Sequence, residues 1–487
     1  MKKNKFIISL AGVVLSSLAL VGCNENGKKT TTSASPSVTT TTKTPTTVVP
    51  TTTKTPTTVV PTIKPTTTVT TAGSTTTKVF EDVIHFYSYN EEFKGFFDEY
   101  ISDEKKSGLK VYHYNGIKVK WTIAPLDQNN YQNALEKALS DENATSDKQI
   151  DMFVIEPNFM SSFVESDYTM SLNELGITDF SNSYDYITKL STSSKNEVKA
   201  AYFYTCPSGI FYNRTIAEKV LGTDDPELVA PMLDTWDEFN ALAPTLKDSY
   251  GCYITPSLDE TIRAFEQGKA TSWINESFEV VIPDSMKQWK DQTKYFYDNE
   301  YTINSDFWGV AKNQALYSEE NLVFSVFAPV WYQFAIKNSH YGDWGFVPSP
   351  NAHYWGGSAL MASKNTDNLE EVKEIMNMMF NDDEFASSLA GNQKIFTNNK
   401  RVNEKFAKDD TFQFPFFGNQ NVFGYQHEIS LDIDVTNSLL IDETICNFYT
   451  ARYKSYVIGD SNDLGALHSF YSDVLGYYPF LKKPENL

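Results

Sequence analysis

The chain has 487 residues, 41 basic and 62 acidic, and a formal charge of −21. Nine lysines and one glutamate lie before Val79, so the remainder is more acidic still. Such a surface repels nucleic acid and anionic lipid, which excludes nucleic-acid partners.

Chain order begins with Lys2, Lys3 and Lys5, followed by the apolar run "FIISLAGVVLSSLALV". This is a secretory signal pattern, too short for a stable membrane span. It ends at Leu20-Val21-Gly22-Cys23, which resembles the bacterial lipoprotein box. The resemblance implies a signal peptide over 1–22 and a lipid on Cys23. Each lipid methylene buried adds about 0.8 kcal/mol of membrane affinity.

Residues 23–78 read as a disordered Thr/Pro-rich tether, in which "TTTKTPTTVVP" occurs at 40–50 and again at 51–61. This composition has nothing to bury. Fully extended, fifty such residues would reach about 150 Å at ~3.1 Å per residue. From Val79 the chain turns aromatic and long enough for two lobes. With Cys23 lipidated, Cys206, Cys252 and Cys446 allow at most one internal bridge.

"DVIHFYSYN" (82–90) reads as a buried strand, and "EEFKGFFDEYISDEKK" as a helix with Phe93, Phe96, Phe97 and Tyr100 on one face. A strand over 117–125, a helix over "NNYQNALEKALSD" and a strand over 150–157 follow. This alternation predicts an α/β fold with a parallel sheet, whose ligands gather beyond the carboxyl ends of strands. Those ends supply Tyr89, Asn90, Glu91, Asp127, Gln128 and Glu156 as binding candidates. The bland reading of each is ordinary loop polarity. Further on, "AAYFYTCPSGIFYNRTIAEKVLG" (200–222) is an extended segment leading into a helix, and Thr235 with Glu238 forms a capping box before another.

Tyr212-Asn213-Arg214 and then Thr235-Trp236-Asp237-Glu238-Phe239 resemble the extracellular solute-binding proteins of sugar ABC importers, the family that includes maltose-binding protein. "ENLVFSVFAPVWYQFA" (320–335), "GDWGFVPSP" (342–350) and "YWGGSALMASKNTDNLEEVKEIMNMMF" (354–380) recur in family order, with Pro329-Val330 departing before Trp331. The resemblance spans roughly 80–390. It implies a two-lobed periplasmic-binding-protein-like fold with an interlobe cleft and crossing hinge segments. One lobe is expected over about 79–204 with 350–395, the other over about 207–347 with 398–487.

The same resemblance places Tyr204 and Cys206 on a crossing segment, and Trp331, Trp355, Gly356 and Gly357 against the ligand. Trp273 and Trp308 are further candidates, although tryptophan in a globular domain more often belongs to the core. Trp236 reads as structural. The implied function is capture of a carbohydrate, an oligosaccharide, by a monomer held outside the bacterial membrane, and its delivery to the transmembrane permease subunits. Tight pairing of the sugar's hydroxyls is needed, because each buried unpaired polar group costs about 1–3 kcal/mol.

No cofactor is implied. The six histidines are scattered without ligand spacing, so no metal site is expected. Two rivals stand beside the importer reading. A glycoside hydrolase needs two carboxylates at a set separation, which sequence alone cannot test in so acidic a chain. A glycan-adhesion module would also suit the tether, but α/β patterning favours the two-lobed receptor.

Overall fold

The computed structural model describes residues 83–100, 113–126, 130–141, 144–145, 147–318, 323–339 and 343–484. Cys23, the signal segment, the tether, Asp127 and Gln128 lie outside the described residues.

The first strand, β1 (Val83–Ser88), is buried along its whole length. The helix α1 (Glu92–Tyr100) buries Phe93 and Phe97, two of the residues spaced for one face. After β2 (His113–Tyr114) and β3 (Ile117–Ile123) come α2 (Asn130–Leu139) and β4 (Met152–Ile155). β1 pairs in parallel with both β3 and β4, as the alternating pattern predicts. Phe86 on β1 stacks on Trp121 of β3 at 4.4 Å.

Helices α3 (Pro157–Val164) and α4 (Asp185–Leu190) precede the longest strand, β5 (Ala201–Asn213). Asn213 ends β5 and caps α5 (Arg214–Leu221), its side chain accepting from the Ile216 N–H at 3.0 Å. In α6 (Trp236–Tyr250) the capping box forms: Thr235 Oγ1 accepts from the Glu238 N–H, and Glu238 accepts from the Thr235 N–H. Trp236 is structural, stacked 3.9 Å from the ring of Phe265.

Then follow α7 (Ile262–Gln267), α8 (Asp284–Asp298), α9 (Val310–Leu316), β6 (Ser325–Pro329), β7 (Trp344–Val347) and β8 (His353–Ala362). Six helices complete the chain: α10 (Leu369–Asn381), α11 (Asp383–Gln393), α12 (Lys400–Ala407), α13 (Phe423–Asp432), α14 (Asp442–Val457) and α15 (Asp463–Tyr477).

The eight strands among the described residues join one sheet, in the order β2-β3-β1-β4-β8-β5-β6, with β7 also on β5. β8 lies antiparallel to β4 on one side and to the first half of β5 on the other. The second half of β5 lies between β6 and β7. Strand alternation therefore sends successive side chains of β5 into different cores. Phe211 joins the large core built on β1, β4 and β8, while Ile210 and Tyr212 join a second under α5 and α6. A third cluster packs α8, α14 and α15 around Trp273, Trp289, Tyr449 and Phe470.

The aromatic stretch 412–423 packs against β5, where Phe417 meets Phe211 edge-on at 4.9 Å. Its phenylalanines are buried in the large core. Cys206, Cys252 and Cys446 are all buried and free, so no bridge staples them.

Candidate functional site

The site grows from an irregularity where β5 and β8 cross. Their ladder slips between Tyr202 and Tyr204 and again between Thr205 and Pro207. Opposite the slips stand Gly356 and Gly357, with φ of +91° and +119°. Side chains rarely adopt such backbone, and a Cβ on Gly357 would stand 2.9 Å from the Tyr204 carbonyl oxygen. The glycines therefore let β8 bend against β5.

Trp355 precedes this bend and gathers an aromatic wall. Its carbonyl accepts from the Trp331 indole N–H at 3.3 Å. Ring centroids lie 5.3 Å away in Trp331, 5.7 Å in Trp308 and 4.9 Å in Phe307. All four residues are only partly buried, so the cluster reaches the surface. Trp331 arrives at the end of β6, and Phe307 and Trp308 just before α9.

Helix α7 is clamped to β8 beside the wall. Gln267 donates to the Tyr354 carbonyl and accepts from its N–H, both at 2.8 Å. One turn back, the Arg263 guanidinium lies 4.4 Å from the Trp355 ring centroid, a cation–π contact. The buried Lys269 ammonium then ties α7 to α14, bonding Glu266 at 2.7 Å and Asp442 at 3.0 Å. That link brings Glu443, next to Asp442, near enough for Arg263 to stabilise its charge.

The polar side comes from the strand ends. Tyr89 Oη and Ser358 Oγ share a hydrogen bond of 2.6 Å. Glu92 and Glu156 both lie close enough to Tyr89 to oppose its ionisation. Burial pushes the Glu92 carboxyl up to about 7. Burial, with repulsion from Glu443, pushes the Glu156 carboxyl up to about 7 as well. Glu156 stands at the N-cap of α3 without using its side chain as the cap. Glu443 is exposed, yet desolvation still raises its carboxyl, as expected for a group in a recess.

Of the candidates read from sequence, Tyr89, Glu156, Tyr204, Cys206, Trp331, Trp355, Gly356 and Gly357 fall in this one region, and Trp308 joins them. Cys206 is buried beside Gly356, and burial raises its thiol well above the ordinary range. Asn90 serves α1, its Oδ1 accepting from the Glu92 N–H at 3.1 Å. Glu91 points to solvent. Trp273 is placed elsewhere: it is fully buried, 5.5 Å from the Tyr449 ring and 6.0 Å from the Phe470 ring. Glu92, Arg263, Phe307, Ser358 and Glu443 belong to the region without having been singled out. Ser358 directly follows the glycine pair, and Glu92 follows the first strand's end, so position alone could have found them. Arg263 and Glu443 come from helices with no motif.

Charge linkage at Glu156 has a measurable consequence. Its folded-state pKa lies above its ordinary 4.5, so protonation favours the fold. Stability from this group is full below about 4.5 and is lost as pH rises through about 7. Glu156→Gln removes that penalty. Its melting temperature should exceed the wild type's by about 1–3 °C at pH 8, and the gap should close near pH 4.5. Thermal melts across that range read this directly; an equal gap at both ends contradicts it.

Two α/β halves joined by crossing strands, with aromatic and carboxylate groups at the crossing, define a two-lobed binding-protein fold. Solved structures share it. An extracellular solute-binding protein of family 1 superposes with a TM-score of 0.67 at 15% identity, over 80% of this chain and 98% of its own. The sugar-binding protein MalE of Xanthomonas citri gives 0.61 at 12% identity, over 82% and 98%. The ABC-transporter-associated binding protein of B. animalis subsp. lactis Bl-04, solved with beta-1,6-galactobiose, gives 0.58 at 15%, over 81% and 97%. Curated protein sequences give no match.

The family model for bacterial extracellular solute-binding proteins matches residues 104–413, and the chain belongs to that family. It is a family of binding proteins rather than of enzymes. Among the described residues, no helix is long and apolar enough to cross a membrane.

Proposed function

We propose that this protein captures an oligosaccharide outside the cell and hands it to the transmembrane permease subunits of an ABC importer. The observation that carries the reading is the wall of Trp331, Trp355, Trp308 and Phe307 beside Glu92, Glu156 and Glu443. Aromatic faces take the C–H faces of a pyranose, and carboxylates take its hydroxyl edges. Glu156 sits at the end of β4 and Glu443 at the start of α14, so a ligand between them bridges distant parts of the chain. Such a ligand closes the lobes only by binding the closed state better.

On this reading the lobes comprise about 79–204 with 350–395, and about 207–347 with 398–487. Cys23 carries the lipid, and the Thr/Pro segment sets the receptor's reach from the outer membrane face. The B. animalis protein's ligand supports a saccharide, as does the sugar-binding description of the Xanthomonas protein.

The test is a thermal-shift screen of the purified protein with beta-1,6-galactobiose and with maltose-, cellulose-, mannan- and xylan-derived tetrasaccharides. One saccharide class should raise the melting temperature by several degrees. Binding at 100 times Kd adds about 2.7 kcal/mol to stability. A flat response to every saccharide, with a shift from a peptide or amino acid, sinks the proposal.

A further inference from the structure

Glu260 and Lys312 form an ion pair away from any solvent, with side chains 1% and 0% exposed. The Lys312 ammonium donates to both Glu260 oxygens, at 3.0 and 2.9 Å. The same carboxylate accepts from the Ser257 hydroxyl and, at 3.1 Å, from the Phe327 N–H. Burying two charges is costly, and an apolar pair of similar volume often gives equal stability. A role in geometry therefore merits a search, and the contacts supply one.

Lys312 Nζ sits 3.2 Å from the Phe307 ring centroid and 5.2 Å from that of Tyr332. The Lys312 N–H also donates to Ser305 Oγ at 3.3 Å, fixing the segment that carries Phe307 and Trp308. On the outer side, Lys454 of α14 bonds both Asp306 and Asp259. Phe327 lies in β6, four residues before Trp331. Glu260 is thus the common anchor of two segments, one delivering Phe307 and Trp308, the other Trp331. Both meet at Trp355.

We infer that the Glu260–Lys312 pair is a positioning device that sets the spacing of the aromatic wall and, through it, which saccharide the site prefers. Neither residue touches the ligand. The inference rests on the proposed saccharide site, but its first readout does not. Near-ultraviolet circular dichroism reports the coupling among Trp308, Trp331 and Trp355 without any ligand.

The experiment replaces the pair with Glu260→Leu and Lys312→Met together in the full chain. The double variant should melt within a few degrees of wild type. Its near-ultraviolet spectrum should change, and titrations with beta-1,6-galactobiose, maltotetraose and cellotetraose should show at least tenfold weaker binding of the preferred sugar and a narrower spread among the three. Wild-type spectrum and affinities in the stable double variant overturn the inference. Should the apolar pair fail to fold, Lys312→Arg decides. A planar guanidinium cannot replace the ammonium over Phe307 without moving the ring, so a changed spectrum supports positioning and an unchanged one overturns it. If wild type binds none of the sugars, the saccharide reading fails, while the spectrum still tests the positioning.

Discussion

Trp355→Ala is expected to weaken saccharide binding about 30- to 100-fold, a loss of ~2–3 kcal/mol typical of a central aromatic anchor. Three other rings and the Arg263 guanidinium converge on this indole, so its removal takes away the shared surface and frees Arg263 at once. Because the ring is only partly buried, the fold should lose much less than the site. Isothermal titration with the best sugar from the screen, beside a thermal melt, separates the two. Trp273→Ala is the matching control. That ring is wholly enclosed by the α14–α15 cluster, and truncating it should cost about 3–5 kcal/mol of stability. The surviving folded fraction should bind normally. Equal affinity losses in the two variants would refute the placement of the site at Trp355.

Gly357→Ala has the second large expected effect, and it acts through the backbone. At φ +119° any side chain is strained, which costs about 1–3 kcal/mol. The new methyl also meets the Tyr204 carbonyl oxygen at 2.9 Å, and backbone on the neighbouring strand cannot swing aside. Overpacking of this kind adds about 1–3 kcal/mol. A total near 3 kcal/mol should appear as a lower denaturation midpoint in urea. Gly356→Ala should cost less. It shares the unusual φ, but its nearest neighbours are side-chain atoms, Trp331 Nε1 at 3.5 Å and Cys206 Sγ at 3.8 Å. A larger loss at 356 than at 357 would show that the bend is held by the rings and not by the strand crossing.

Local signals explain why much of this was legible beforehand. Unbroken apolar runs mark β1 and β4, alternation marks β3, and period-3.6 spacing marks α1 and α2, and these elements formed within the stretches so marked. The Thr235–Glu238 box is a three-residue chemistry that needs no tertiary help, and it is present. The ends of β1 and β4 named Tyr89 and Glu156 because parallel topology aims them at one edge. Trp273 shows the limit: hydrophobicity tells that a ring will be covered, not by what. Arg263 and Glu443 were beyond reach for another reason. They are neighbours only because Lys269 bridges Glu266 and Asp442, a contact between residues some 175 positions apart with no periodic trace. The phenylalanines of 412–423 fill the large core, since a burst of apolar rings fits a covered surface at least as well as an open one.

The path of β5 has a meaning for folding. Its first half needs β8, its second half needs β6 and β7, and its side chains divide between two cores. Unfolding either half would strip ladder partners from the same strand that the other half relies on. The two halves are thus not units of cooperativity: neither has a complete set of partners for β5 by itself. Excising one would leave half of β5 as an unpaired edge, a template for aggregation, so the receptor must be made, and lost, as a whole.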